Sequence, residues 1–302
     1  MRFFLLAGLG AVPVFLIFHL VLDRGLAAGW PARDRVAARL EGDGTRRHLV
    51  ARTFVRPRPD PLPVLAVALL IALVLGLGVD ALHADEAAQP LFGGLDQMLS
   101  AWAQAGRSAA LDPLVVSLTS FGDAPVMIVA TIALVVVLAA QKSLRLALGI
   151  AATMLVARLL VSGLKPLIAI PRPSDLYQGV EAFSFPSGHA TMTTTCAGLL
   201  FVLIGAGGAG RTLARGALAL MVSGMMASRL YLGAHWPSDV LAGFCVGLAF
   251  ATAFGFAYGP FQGARTAVDR ALLATLVVAL AFGTGRMLLG MQEGIGFYAP
   301  GA

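Results

Sequence analysis

Long apolar stretches separated by short polar segments dominate the chain. A stretch of about 20 apolar residues is long enough to cross a bilayer as a helix, and the pattern predicts eight such helices. The first covers residues 1–22, where Pro13 should introduce a kink. A secretory signal peptide is the alternative, but basic residues are sparse before the apolar run and the cleavage consensus is weak. The other predicted spans are 64–79, 124–140, 144–167, a segment that starts at Ser187, 216–232, 237–258 and 271–289.

Two segments between the predicted spans differ in character. Residues 23–61 contain nine arginines and end in a stiff, proline-rich run, which is typical of a cytoplasmic loop under the positive-inside rule. Contact of this loop with anionic lipid headgroups is a further interpretation that the sequence leaves open. Nucleic-acid binding is not expected, because neither aromatic residues between the basic ones nor a folded motif accompanies the charge. Apolar side chains at helical spacing in residues 83–123 predict an amphipathic helix at the membrane interface. They are Leu91, Leu95, Met98, Leu99 and Trp102.

The composition agrees with a polytopic membrane protein. Of the 302 residues, 58% are hydrophobic and 13% are charged, whereas soluble domains carry about 25% charged residues. The net charge of +6 is distributed unevenly, and loops rich in lysine or arginine usually face the cytoplasm. The segments predicted to do so are residues 23–61 and the turns that contain Lys142 and Arg145, Arg211 and Arg215, and Arg265 and Arg270. The segments predicted to face outward are residues 83–123, 166–186 and 233–236 and the C-terminal tail.

Polar residues suited to phosphate chemistry are concentrated between Lys165 and Asp239. Ionisable residues are costly inside a membrane and usually mark a functional site. Lysine and arginine bind anions through charge-assisted hydrogen bonds, and two histidines can divide the roles of nucleophile and general acid. Asp239 follows His235 by four residues, so it can hold that imidazole in one tautomer from the same face of a helix. The candidate residues are Lys165, Arg172, Ser187, Gly188, His189, Arg229, His235 and Asp239.

Two of the predicted spans begin at residues that suit an anion site. A helix N-terminus offers unpaired N–H groups and the positive end of the helix dipole. Ser187 is predicted to cap one such helix, and Pro237 to lie in the first turn of another. Gly243 and Gly247 would let the second helix approach a neighbour closely. These features predict a positive pocket at the membrane surface, which would stabilise the charge of a phosphoryl-transfer transition state.

The candidate residues resemble the three-part signature of the type 2 phosphatidic acid phosphatase superfamily. Its parts are Lys165-x6-Arg172-Pro173, Pro186-Ser187-Gly188-His189 and Ser228-Arg229-x5-His235-x3-Asp239, all present and in order. The resemblance covers about residues 64–258. It implies an all-α polytopic membrane helix bundle, with a six-helix phosphatase core over residues 62–258. Residues 1–22 and 259–302 would then add N-terminal and C-terminal transmembrane helices, with residues 23–61 as a basic cytoplasmic loop.

The resemblance also implies a role for each candidate residue. His235 would be the nucleophile that forms a phosphohistidine, and Asp239 would orient it. His189 would protonate the leaving oxygen and then activate water. Three cations would take the place of a metal ion, so neither a metal nor another cofactor is expected. The oxygens of the phosphate would be bound by Lys165, Arg172, Ser187, Gly188 and Arg229.

We therefore expect a bacterial inner-membrane phosphatase whose site faces the periplasm or cell exterior. Its partners would be membrane lipids and a lipid phosphate or diphosphate substrate, with undecaprenyl diphosphate or phosphatidylglycerophosphate ahead of phosphatidic acid and lipid A phosphates. A lipid phosphotransferase would need the same residues and stays open. A transporter of phosphorylated lipids is weaker, because it does not explain the spacing of His235 and Asp239 and no inverted repeat is visible. Vanadium haloperoxidases share the signature but are usually soluble.

Some properties stay open at the level of sequence. Lipid identity and oligomeric state, a homo-oligomer included, are not determined, nor is the role of residues 1–61. Arg158 precedes Lys165 by seven residues on nearly the same helical face, and an ion pair or a structural role is favoured over substrate contact. Asp175 and Glu181 would either balance charge or tune selectivity.

Overall fold

The computed structural model describes residues 1–26, 93–174, 177–205, 207–258 and 265–298. These residues form an all-α bundle, as predicted. The predicted span at 64–79 and residues 27–61 of the basic loop lie outside the described residues. The helices are α1 (Arg2–Phe18, continued by a π-helical segment, His19–Gly25), α2 (Gly93–Gln104), α3 (Asp112–Ser120), α4 (Ala124–Ala140), α5 (Leu144–Ile168), α6 (Gly188–Ile204), α7 (Ala209–Tyr231), α8 (Pro237–Tyr258) and α9 (Arg265–Phe297).

Several of these helices are long and apolar enough to cross a membrane. Among the described residues, four qualify singly, namely Arg2–Gly25, Leu144–Ile168, Pro237–Tyr258 and Asp269–Phe297. Helices α3 and α4 qualify as a pair that is bent by 44°. Leucines on the outer faces of these helices remain exposed, for example Leu9 and Leu289 at 69% and 91%. A bilayer would cover these apolar faces, so the protein is a multi-pass membrane protein.

The N-terminal and interfacial helices agree with most of the predicted pattern. Pro13 lies inside α1 without ending it. Leu95, Met98 and Trp102 are exposed on α2, which forms the predicted amphipathic helix. The sequence analysis did not predict α3, because the segment before Ala124 had been assigned to an outward-facing loop.

The predicted turn at Arg211 and Arg215 is wrong. Helix α7 begins at Ala209, after Gly208 with a φ of 72°, so both arginines lie within the helix. Arg215 forms an ion pair with Asp23 and lies 3.6 Å from the centre of the Phe201 ring. These contacts compensate the charge inside the bundle, so the helix does not need to end before it. Helix α9 likewise includes the predicted turn at Arg265 and Arg270 and continues to Phe297.

Helices α6 and α8 approach closely, as the two glycines predicted. A Cβ atom on Gly243 would lie 2.6 Å from the carbonyl oxygen of Ser187, and one on Gly247 would lie 2.6 Å from the Cβ of Thr194. Only glycine therefore permits this approach. The backbone N–H of Ser187 donates to the carbonyl oxygen of Asp239 at 3.0 Å. The close packing brings the N-terminal ends of both helices to one place.

Helices α1 and α9 pack against different helices of the bundle. Helix α1 lies along α7, where the hydroxyl of Ser223 donates to the carbonyl oxygen of Ala7 at 2.8 Å. Helix α9 lies along α4 and α3, with Gly283 against the Phe121 ring. The C-terminal end of α9 therefore returns to the end of the bundle where the candidate residues lie.

Candidate active site

Four helix ends bring the predicted site residues together. Lys165 lies in the last turn of α5, and Ser187 and Gly188 form the start of α6. Arg229 lies in the last turn of α7. His235 precedes α8, whose first turn contains Asp239. The connection from α5 to α6 folds back over these ends, where Pro171 and Phe183 form an antiparallel bridge.

Arg172 and His235 form the central contact of the site. The Nη1 group of Arg172 donates to the carbonyl oxygen of Ala234 at 2.5 Å and lies 2.9 Å from Nε2 of His235. A guanidinium can only donate, so Nε2 accepts and the ring proton is on Nδ1. That Nδ1 lies 3.4 Å from Oδ2 of Asp239, within ion-pair distance, and makes no closer hydrogen bond to a described residue. The lone pair of Nε2 is thus directed at the guanidinium of Arg172.

The surroundings of His235 disfavour protonation of its imidazole. Its side chain is 1% exposed. Burial lowers the pKa of His235 well below its usual value, and the positive charges of Arg172 and Arg229 add to this effect. The imidazole is therefore neutral at physiological pH, so Nε2 carries the lone pair that a nucleophile needs.

Asp239 is both a helix cap and the partner of His235. Its Oδ2 accepts the backbone N–H of Trp236 at 2.8 Å, and its Oδ1 accepts the Ser184 hydroxyl at 3.2 Å. A side chain in the first turn that accepts the N–H before the helix is one half of a capping box. The cap fixes the carboxylate, so it presents Oδ2 to the imidazole. Asp96 of α2 accepts the backbone N–H of Ser238 at 2.9 Å and strengthens the same helix start.

Ser187 caps α6 as predicted. Its hydroxyl accepts the backbone N–H of Ala190 at 3.4 Å, and the residue is fully buried. Pro237 is the first residue of α8, also as predicted. Both helix N-termini are therefore present at the site, with Gly188 at the first position of α6.

Glu181 binds the predicted phosphate ligands from the connection between α5 and α6. Its carboxylate accepts a hydrogen bond from the Lys165 ammonium and lies 3.7 Å from Nη2 of Arg172. The Nε group of Arg172 also donates to the Glu181 carbonyl oxygen at 2.6 Å. Burial raises the pKa of Glu181, but the hydrogen bond and charge of Lys165 outweigh it, so the net pKa is lowered. Glu181 is therefore ionised, and it balances charge as one of the two sequence interpretations proposed.

Arg229 is held by three hydroxyl groups. Its Nη1 donates to Thr119 at 2.8 Å and to Tyr298 at 3.1 Å, and its Nη2 donates to Tyr177 at 2.8 Å. The hydroxyls of Tyr177 and Tyr298 lie 2.9 Å apart and bind each other. Arg107 donates to the carbonyl oxygen of Tyr298 at 2.6 Å and fixes the end of α9. The buried guanidinium is therefore oriented by residues from three separate parts of the chain.

Asp123 is the partner of His189. Its Oδ1 lies 3.1 Å from Nε2 of His189. Asp123 occupies the N-cap position of α4 with φ −62° and ψ 147°, yet its side chain makes no cap hydrogen bond. Aspartate at this position usually accepts an N–H from the first turn. Here its carboxylate binds the imidazole instead, so His189 has an acidic partner as His235 does.

Comparison with known proteins agrees with the sequence signature. Residues 144–259 match the family model of the PAP2 superfamily. This segment contains the whole signature and every predicted site residue. Over this segment, the chain is similar to the PAP2 superfamily. The predicted resemblance is therefore confirmed.

Two known proteins are similar to parts of this chain. An 85-residue stretch is 40% identical to the decaprenylphosphoryl-5-phosphoribose phosphatase of Mycolicibacterium smegmatis and covers 26% of this chain and 42% of that protein. The chain thus matches about two fifths of the length of this curated relative. The crystal structure of a transmembrane PAP2-type phosphatidylglycerolphosphate phosphatase from Bacillus subtilis is similar with a TM-score of 0.52 at 21% identity, covering 67% of this chain and 100% of that one. At 21% identity, this structural similarity shows a shared fold.

Some contacts in the candidate site come from outside the matched segment. Thr119 and Asp123 precede it, and Tyr298 follows it. Sequence analysis missed all three because each is separated from its partner by at least 66 residues, the separation of Asp123 and His189. Their residue types are also common in membrane helices and loops. In the connection after the first motif, the sequence analysis named Glu181 but missed Tyr177, which binds Arg229.

Proposed function

We propose that this protein is a lipid phosphatase that removes a terminal phosphate group through a phosphohistidine on His235. The observation that carries the proposal is the 2.9 Å contact between Nη1 of Arg172 and Nε2 of His235. It sets a nucleophilic lone pair beside a cation that can bind phosphate oxygens.

The substrate phosphate binds among cations and helix ends in this proposal. Lys165, Arg172 and Arg229 supply positive charge from three different elements, and Arg229 is fully buried. Gly188 adds its backbone N–H at the start of α6, where the helix dipole also favours an anion. In a buried site, these fixed donors stabilise the additional charge of the transition state more strongly than water does.

The reaction proceeds in two steps. Nε2 of His235 attacks phosphorus, the bond to the leaving oxygen breaks, and its electron pair stays on that oxygen, which takes a proton from His189. Asp239 stabilises the positive imidazolium that forms. In the second step, His189 removes a proton from water, which attacks phosphorus. The P–N bond breaks, inorganic phosphate leaves, and His235 regains its lone pair.

The proposed substrates are phosphorylated lipids of the outer leaflet of a bacterial inner membrane. The relatives support this class, because one is named for decaprenylphosphoryl-5-phosphoribose and the fold neighbour for phosphatidylglycerolphosphate. Undecaprenyl diphosphate and phosphatidic acid belong to the same class. The distribution of basic loops supports an outward-facing site. Three cations supply the charge that a metal would provide, so we expect activity to persist in EDTA.

Phosphate release by purified protein in detergent with EDTA tests the proposal. Phosphatidylglycerophosphate, undecaprenyl diphosphate and phosphatidic acid are supplied in parallel. His19 offers a matched control, because it lies 2.8 Å from Asp23 at spacing i,i+4, like His235 and Asp239, but in α1. We expect release by the wild type and by His19→Ala, and none by His235→Ala.

The other outcomes separate the alternatives. Labelled phosphate trapped on the wild type but absent from His235→Ala would support the covalent step. Phosphate transfer that occurs only when an acceptor lipid is added would indicate the phosphotransferase. Equal release by His235→Ala and the wild type would overturn the mechanism, and loss of activity in EDTA would contradict metal independence.

A further inference from the structure

A cavity of about 340 Å³ lies between α4, α5 and α6 and adjoins the candidate site, because Gly188 is among its lining residues. Its walls are almost entirely apolar and include Met127, Ile132, Leu155 and Met192. Ile132 and Leu155 are also exposed on the outer face of the described bundle, at 54% and 58%. Within the described residues, the cavity is therefore open towards the surface that the bilayer covers.

Arg158 is the charged residue among those that line this cavity. It lies in the middle of α5, a helix long enough to cross the membrane. An arginine at this depth is costly unless an anion or water accompanies it. Its ion-pair partner among the described residues is Glu181, whose Oε1 is 4.0 Å from Nη2 of Arg158. The side chain remains 43% exposed, so its guanidinium keeps donors for a further anion.

Arg158 also adjoins the start of α6. A Cβ atom built on Gly188 would lie 3.9 Å from Nη1 of Arg158. Gly188 immediately precedes His189, the proposed general acid. The guanidinium is therefore on the side of the site where the leaving oxygen would receive its proton, between the phosphate-binding cations and the apolar cavity.

Glu181 contacts both Arg158 and a predicted phosphate ligand, Lys165. One carboxylate oxygen, Oε2, binds the Lys165 ammonium, while the other, Oε1, faces Arg158. A single carboxylate thus contacts both a predicted phosphate ligand and, at 4.0 Å, Arg158. The Arg158 guanidinium is therefore within reach of a substrate bound at Lys165, and a diphosphate, which is longer than a carboxylate, could engage both cations at once.

We propose that Arg158 binds a second phosphate of the lipid substrate, the one next to the hydrocarbon chain, and that the cavity between α4, α5 and α6 receives the beginning of that chain. The proposal rests on the proposed phosphatase function and narrows its substrate class. The preferred lipid carries a terminal phosphate and a second phosphate, in a diphosphate or a phosphodiester, before the chain. The sequence favoured an ion pair or a structural role for Arg158, and its contact with Glu181 agrees with the ion pair; the proposal adds a contact with the substrate.

The substrate preference of Arg158 variants tests whether Arg158 binds a second phosphate. Hydrolysis of phosphatidylglycerophosphate is compared with that of phosphatidic acid that has the same acyl chains, in mixed micelles. We expect Arg158→Gln to lower kcat/KM for the two-phosphate lipid about tenfold, mainly through KM, because a charge-assisted hydrogen bond is lost. Hydrolysis of phosphatidic acid should change by less than about twofold, because this lipid has no second phosphate and its only phosphate binds the other cations.

Two further variants control for charge and for position. Arg158→Lys keeps the charge but loses the planar fork, so we expect an intermediate loss on the two-phosphate lipid. Arg145→Gln is the same replacement on the same helix, about 20 Å away at 1.5 Å per residue, and should leave both activities unchanged. Equal losses on both lipids for Arg158→Gln, or no loss on either, would overturn the inference while leaving the phosphatase function intact. Wild type that hydrolyses neither lipid would overturn both.

Filling the cavity tests the apolar part. Ala151 lines the cavity, and Ala151→Phe should raise KM for the long-chain two-phosphate lipid while a short-chain analogue with the same headgroup is hydrolysed as by the wild type. Leu159→Phe adds volume on the outer face of the same helix, where Leu159 is 60% exposed, and serves as the control. Equal effects of Ala151→Phe on both chain lengths would contradict a chain-binding role.

Discussion

Arg172 and His235 are joined by a contact of 2.9 Å between Nη1 and Nε2. The contact fixes the imidazole tautomer, because the guanidinium has no acceptor and Nε2 must supply the lone pair. The proton is then on Nδ1, facing Asp239. A phosphate that binds Arg172 would therefore meet the lone pair of His235 already oriented, and the same arginine would bind substrate and prepare the nucleophile.

The depressed pKa of His235 should make folding stability depend on pH. Burial is the largest cause, followed by the charge of Arg172. Between this lowered pKa and the usual value of about 6.5, the unfolded chain binds the proton that the folded protein excludes, so stability falls as pH falls. We expect His235→Gln to reduce this slope by up to about 1.4 kcal/mol per pH unit. Thermal unfolding of the detergent-solubilised protein between pH 7.5 and 5 measures it.

His19→Gln is the control for that experiment. His19 is 39% exposed beside Asp23. Its replacement should not change the contribution of His235 to the pH dependence of stability. If wild type and His235→Gln lose thermal stability equally over this pH range, the buried imidazole does not exclude its proton in the folded state.

Asp123→Asn should slow protonation of the leaving group. The substitution keeps the size of the side chain but removes the charge that faces His189 at 3.1 Å. We expect kcat for an alkyl phosphate lipid to fall about tenfold with little change in KM, because general acid catalysis contributes on the order of 10²–10⁴. For p-nitrophenyl phosphate, whose leaving group needs little protonation, the loss should be smaller.

The dependence on leaving group separates catalysis from folding in that test. Asp112→Asn removes a carboxylate that binds Arg107 and Tyr231, and any effect should be the same for both substrates. The same loss on both substrates in Asp123→Asn would instead assign Asp123 a structural role at the start of α4.

Tyr298→Phe should weaken the binding of phosphate and of its analogue vanadate. The variant removes one of the hydroxyls that bind Arg229, at 3.1 Å, and also the partner of the Tyr177 hydroxyl. A buried hydrogen bond to a charged group is worth about 1.5–3 kcal/mol, so we expect the inhibition constant of vanadate to rise about tenfold. Tyr258→Phe, in which the ring stacked on Phe254 is kept, is the matched control. An unchanged constant in Tyr298→Phe would show that Thr119 and Tyr177 suffice.

Glu181→Gln should strengthen the binding of inorganic phosphate. The carboxylate occupies Lys165 and lies near Arg172, so an incoming phosphate must displace it. We expect a lower inhibition constant for phosphate and a lower Tm, because the cations lose their compensating charge in the free protein. Inhibition kinetics and thermal unfolding of the same preparation measure both. Weaker phosphate binding would show instead that Glu181 positions the cations for the substrate.

Local chemistry explains why the centre of the site was predictable. Ser187 was predicted as a cap and Pro237 as a first-turn residue, and both lie there because cap preferences depend on the nearest few residues. The spacing of His235 and Asp239 is also local, because residues i and i+4 lie on the same side of the chain at the start of a helix. Gly243 and Gly247 predicted the close approach of α8 to another helix, but not that the partner would be α6.

The sequence by itself determined the membrane-spanning helical class, the three-part signature and the residues proposed to react with phosphate. These depend on hydrophobic length, helix periodicity and short spacings, which the chain carries locally. Tertiary structure alone decided that Asp123 binds His189, that Tyr298 from the end of α9 binds Arg229, and that Arg158 lies beside an apolar cavity. The physical reason is that such contacts depend on how helices pack and cross, and packing joins residues whose separation along the chain leaves no periodic signal.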